Sequence, residues 1–160
     1  MYKRQHQNTP YKLSDASHPG IIQYNNILFI AHKLDEMYYK HGAYLHRDLF
    51  KNCLDKLEYN PMIEVDLPSV GRISLLHQED RKRFVAHLLY ASPITRGECE
   101  VIEDLPSLFN TTVSVDLPED IQRAILIPEM KELEISKSEN RLIVTIPEFN
   151  CHSAISFEYE

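Results

Sequence analysis

Hydrophobic and polar positions change their spacing once along this chain, near residue 61. Before that point one apolar set recurs at helical intervals: Leu45, Leu49, Phe50, Cys53, Leu54 and Leu57 fall on one stripe. Arg47, Asp48, Lys51, Asp55 and Lys56 fall elsewhere, so the pattern predicts an amphipathic helix over 43–57 with a solvated face. Ahead of it, ILFIA at 27–31 is a short, continuous apolar run rich in β-branched side chains. Such a run predicts a strand buried on both faces, as in a parallel sheet covered by helices. The front of the chain thus reads as strand, loop and helix, the closing unit of an α/β domain.

After Pro61 the spacing becomes two. Val113, Val115 and Leu117 alternate with Thr112, Ser114 and Asp116; Leu142, Val144 and Ile146 alternate with Arg141, Ile143 and Thr145; Ile155, Phe157 and Tyr159 alternate with Ala154, Ser156 and Glu158. Strands are expected near 62–66, 71–77, 82–90, 98–103, 111–117, 121–127, 131–136 with 141–147, and 151–159. Pro106, Pro118, Pro128 and Pro147 are each expected to open or close a strand, because proline cannot donate to a ladder. Ser138-Glu139-Asn140 marks a hairpin turn. Phe84, Ala86, Leu88 and Tyr90 share one face of their strand and Val85, His87 and Leu89 the other, which places that strand centrally. Short strands at this spacing indicate an antiparallel β-sandwich over 61–160.

Composition leaves that picture standing and narrows the function. With 43% apolar and 26% charged residues the chain has the make-up of a globular domain. No apolar run reaches the length of a membrane span, and Met1 to Pro10 lacks the apolar segment of a secretory signal. Residues 1–60 hold 8 Lys/Arg against 6 Asp/Glu, and residues 61–160 hold 9 against 18. The net charges are therefore +2 and −9, and an acidic sandwich has no electrostatic route to a phosphate backbone. Nucleic acid and membrane are both excluded as expected partners. Cys53, Cys99 and Cys151 are odd in number and widely spaced, and are expected as small buried thiols.

The chemistry-bearing residues form no convincing site. Glu103 and Asp104 are adjacent, so on a strand they point to opposite faces and cannot act together as a carboxylate pair. His41, His46 and Asp48 do not share a helical face, and Gly42 interrupts them. His77, His87 and His152 lie on three different expected strands, where imidazoles hydrogen-bonded within a sandwich are the ordinary outcome. Asn110-Thr111-Thr112 is a formal glycosylation sequon. Four glycines and no GxSxG leave no phosphate-cradling loop or nucleophile elbow. The expectation is no catalytic, metal or cofactor-binding residue, and no cofactor.

The segments LPSVGRISLLHQEDRKRFVAHLLYASP, EVIEDLPSL, ILIPE and RLIVTIPEFNCHSAISFE resemble the C-terminal part of β-galactosidases of glycoside hydrolase family 42 and related hypothetical glycosyl hydrolases. The resemblance spans nearly all of residues 19–160. It implies a catalytic (β/α)8 barrel earlier in the polypeptide, a flavodoxin-like trimerisation domain ending within 19–59, and a terminal sandwich over 61–160. The acid/base and nucleophile glutamates of that family sit on the barrel, so no position here inherits them. The implied partners are the missing N-terminal barrel of the same polypeptide and further copies in a homo-oligomer. In keeping with this, MYKRQ at 1–5 resembles the translated end of a sequencing adapter; residues 1–18 are otherwise read as an irregular leader. A free-standing carbohydrate-binding sandwich is the alternative. It is disfavoured by the lack of tryptophan and by aromatic residues placed in core phase.

Overall fold

The computed structural model describes residues 18–160, so the adapter-like opening and most of the leader lie outside the described residues. The chain divides into two units at Pro61.

In the first unit, β1 (Ile21–Tyr24) and β2 (Ile27–Ile30) form an antiparallel hairpin. Asn25 takes the left-handed conformation, φ 51°, at the two-residue turn between them, a conformation that asparagine tolerates better than most residues. Two helices follow, α1 (Leu34–His41) and α2 (Tyr44–Lys56). Gly42, at φ 61°, ends α1 and donates its N–H to the Tyr38 carbonyl at 2.8 Å, a left-handed C-terminal cap that glycine adopts without strain. The expected strand and helix are both present, but their burial differs. β2 pairs antiparallel with one neighbour and leaves Ile27 and Phe29 exposed. Of the α2 stripe only Cys53 is buried, while Leu45, Leu49 and Phe50 are exposed.

The second unit is an antiparallel β-sandwich. One sheet has five strands in the order β10-β9-β13-β5-β4, namely Lys131–Leu133, Arg123–Ile127, His152–Glu158, Arg83–Leu89 and Arg72–Gln78. The other has four in the order β11-β12-β8-β3, namely Ser136–Ser138, Arg141–Phe149, Leu108–Val115 and Ile63–Val65. β6 (Ile94–Arg96) and β7 (Cys99–Val101) form a separate hairpin, turned by Gly97 at φ 60°. The alternation read from the sequence sets the core. Phe84, Ala86, Leu88, Ile155, Phe157 and Leu126 from the first sheet meet Val113, Val115, Val144 and Ile146 from the second, all buried.

Two details depart from the sequence reading. The run 131–136 is two strands: β10 pairs with β9 in one sheet and β11 with β12 in the other, so the chain changes sheet across Glu134 and Ile135. Pro147 lies inside β12, where the register pairs Ile146 with Thr111 and Glu148 with Phe109 and passes over it. Proline is tolerated there because β11 covers only Arg141, Leu142 and Ile143, leaving that flank of β12 an open edge. The strand expected to be central, β5, is interior to the larger sheet, paired with β13 on one side and β4 on the other. The expected turn at Ser138-Glu139-Asn140 is present, with Ser138 paired to Arg141 and Glu139 at φ 54°.

Candidate functional site

Of the three strand histidines, the structure brings two together. His87 on β5 and His152 on β13 share the outward face of the larger sheet, out of phase with the buried Leu88 and Ile155. They stand diagonally, since His87 pairs with Ala154 and His152 with Leu89. Diagonal neighbours on a sheet are within reach of long or ring side chains. Here the reach is complete: His87 Nδ1 and His152 Nε2 are 3.2 Å apart, with ring planes 16° from parallel and centroids 5.5 Å apart. A shallow cavity of about 260 Å³ opens over them, lined also by Arg72, Ile73, Ser74 and Leu89.

His77 goes elsewhere. It sits directly opposite Phe84 on edge strand β4, stacks on that ring at 4.1 Å and 7°, and places Nε2 2.8 Å from the Tyr159 hydroxyl. Partial desolvation, followed by the negative charges of Glu119 and Glu79, raises the Tyr159 phenol above its ordinary value. A raised value means that the phenol's contribution to stability is complete below its ordinary 10.0 and is lost as pH climbs through the folded value. Alkaline difference spectroscopy on the nine-tyrosine chain should therefore show a late-ionising component. Tyr159→Phe should remove it, and removal of an ordinary component instead would refute the assignment.

The remaining candidates do not converge. Glu103 lies beyond β7, is exposed and is ion-paired with Arg96, while Asp104 is exposed beside it. A glycosidase general acid needs the opposite setting, apolar and unpaired. His41 ends α1, and Asp48 on α2 is paired with Arg47 at 3.0 Å. His46 borders a small apolar cavity with Leu34, Tyr38 and Phe50. Cys53 is buried as expected, whereas Cys99 is exposed on its hairpin and Cys151 is half-buried at the β12–β13 turn. Among the described residues no group of three or more His, Cys, Asp or Glu is placed to hold a metal.

Against known proteins, no family model and no curated protein matches the chain. Among solved structures it is similar to α-L-fucosidase isoenzyme 2 from Paenibacillus thiaminolyticus, at 30% identity and a TM-score of 0.82. That likeness covers 94% of this chain but 24% of the fucosidase chain. The chain spans about a quarter of that enzyme.

One structural residue escaped the sequence reading. Arg141, which alternation marks only as an outward polar position, is mostly buried. Its guanidinium donates to the Ser114 hydroxyl at 2.7 Å, the Ser114 carbonyl at 3.1 Å and the Pro61 carbonyl at 3.0 Å. It ties β12 to β8 and fixes the start of the sandwich. No sequence signal distinguishes it from a solvated arginine, because its acceptors come from residues 27 and 80 positions away.

Proposed function

We propose that this chain is a non-catalytic portion of a glycoside hydrolase, serving to pack against and assemble a catalytic portion carried elsewhere on the same polypeptide. The observation that carries this is the likeness over nearly the whole chain to only a quarter of a fucosidase. The finer reading follows the motif resemblance: residues 61–160 are the terminal sandwich of a family 42 β-galactosidase-like enzyme, and residues 19–59 are the end of its trimerisation domain. The exposed Tyr24, Ile27, Phe29, Tyr39, Leu45 and Phe50 support it, since so much apolar surface on a 60-residue unit is what a larger domain would bury. Among the described residues β1 and β2 likewise form a two-stranded sheet, which is marginal in isolation. The fucosidase and β-galactosidase likenesses agree on glycoside hydrolysis and differ on the sugar.

A sugar-binding module finds less support. Exposed rings make sugar platforms, and among the described residues of the sandwich only Phe109 is an exposed aromatic. Phe84, Tyr90, Phe149 and Phe157 are buried.

The test has two readouts. The purified chain should hydrolyse neither nitrophenyl β-galactoside nor nitrophenyl α-L-fucoside. DNA upstream of codon 1 should continue the frame into a (β/α)8 barrel bearing two carboxylates at strand ends. Turnover by the chain itself, or a start signal and in-frame stop directly before Met1, would overturn the proposal.

A further inference from the structure

We propose that β4 is the pairing edge of a two-fold symmetric dimer, in which a second copy of this chain adds its own β4 antiparallel to the first. The inference goes beyond the function proposed above and does not depend on it, since it concerns self-association of this chain alone.

Four strands stand at the edges of the two main sheets: β10 and β4 in the larger, β11 and β3 in the smaller. Three of them are blunted. β10, β11 and β3 are each three residues long and carry Lys131 with Glu132, Lys137, and Glu64 in turn. Short length and charge are the usual protection of an edge, whose unpaired N–H and C=O groups would otherwise recruit another strand. β4 has neither. It runs seven residues, is paired to β5 along all of them, and holds no Lys, Arg, Asp, Glu or Pro inside its ends. Its exposed apolar side chains lie on both faces. Ile73 shares the phase of Leu75, which packs against the core, and Leu76 stands on the outward face. A strand added alongside supplies cross-strand neighbours to both, which a partner seated on one face of the sheet does not.

A second copy is the occupant because β4 is complementary to itself. Antiparallel pairing centred on Leu75 is the one register that uses the whole strand. It sets Arg72 opposite Gln78, Ile73 opposite His77 and Ser74 opposite Leu76, each pair on one face of the continued sheet. The ends then match in charge. Arg72 of one copy lies beside Glu79 and Asp80 of the other, which continue β4, whereas Arg81 and Lys82 lie on the return to β5. Within one chain Arg72 donates to the Val70 and Gly71 carbonyls, at 3.3 and 3.0 Å, and has no carboxylate partner among the described residues. The two-fold axis makes this junction once at each end. It also consumes the edge, so the product is a closed dimer and not a growing sheet.

The experiment is sedimentation velocity on the full chain over a concentration series, with amide hydrogen exchange in parallel. A monomer–dimer equilibrium is expected, and the amides of Arg72–Gln78 should gain protection as the dimer forms. Leu76→Lys, at an exposed position, should weaken the dimer about tenfold while leaving the monomer folded. Arg72→Glu in one variant, and Glu79→Lys with Asp80→Lys in another, should each weaken self-association about tenfold by setting like charges at both junctions. An equimolar mixture of those two variants should dimerise as the unaltered chain does, because opposite charges then meet at both ends. A monomer at every concentration, a dimer indifferent to these substitutions, a mixture no tighter than its components, or protection that rises in the first unit and not on β4 would each overturn the proposal. The exchange measurement on the unaltered chain decides the matter even if a variant fails to fold.

Discussion

Phe157→Ala should remove about 3–5 kcal/mol from the unfolding free energy of the sandwich, the usual cost of truncating a fully buried phenylalanine. Phe157 has no exposed surface and lies on β13, the middle strand of the larger sheet. Its flanking partners are Phe84 on β5 and Ala124 on β9. Its ring occupies space that the small Ala124 cedes, so truncation leaves a cavity that strands paired on both sides cannot collapse to fill. A domain of this size has about 5–15 kcal/mol of stability in all, so the variant would be close to unfolded at physiological temperature. Urea denaturation followed by circular dichroism measures the loss. Phe109→Ala is the control. Its ring is exposed on β8, and its cost should stay within about 0.5 kcal/mol. Equal losses in the two variants would contradict the assigned core.

The second large effect is at Arg141. Arg141→Ala should cost about 2–4 kcal/mol, since it removes the charge-assisted hydrogen bonds to the Ser114 hydroxyl and to the Ser114 and Pro61 carbonyls. The ion pair to Glu64, at 3.9 Å with the carboxylate largely exposed, adds little to that sum. Arg141→Lys should recover only part of the loss, because an ammonium cannot span three acceptors as the planar guanidinium does. In a double-mutant cycle with Ser114→Ala the two losses should be markedly non-additive. Additive losses would show that Arg141 acts through something other than Ser114.

The sandwich was legible because its code is local. A strand with one buried face must alternate, so Phe84, Leu88, Val113, Val144 and Phe157 announce their own burial. The Ser138-Glu139-Asn140 turn was legible for the same reason. The first unit was less so. α1 carries only Leu34 and Met37 as an apolar pair before two tyrosines, too little periodicity to announce a helix. The run at 27–31 predicts a buried parallel strand, whereas β2 pairs antiparallel across the Asn25–Asn26 turn, because a continuous apolar run does not say what covers it.

The class of the second unit, the phase of its strands and the composition of its core are readable from the chain alone, because all follow from neighbours one or two residues apart. The motif segments likewise carry the resemblance to the far part of a glycoside hydrolase. Which strands are neighbours emerges only from the folded chain, and three consequences hang on that. The run 131–136 divides between two sheets because each half finds its partner in a different one. Arg141 becomes an anchor because β8 and Pro61 lie beside it. His87 and His152, 65 positions apart, meet because β13 pairs with β5. Alternation fixes the face on which a side chain stands, but the pairing of distant strands, set by packing of the whole core, fixes what it meets there.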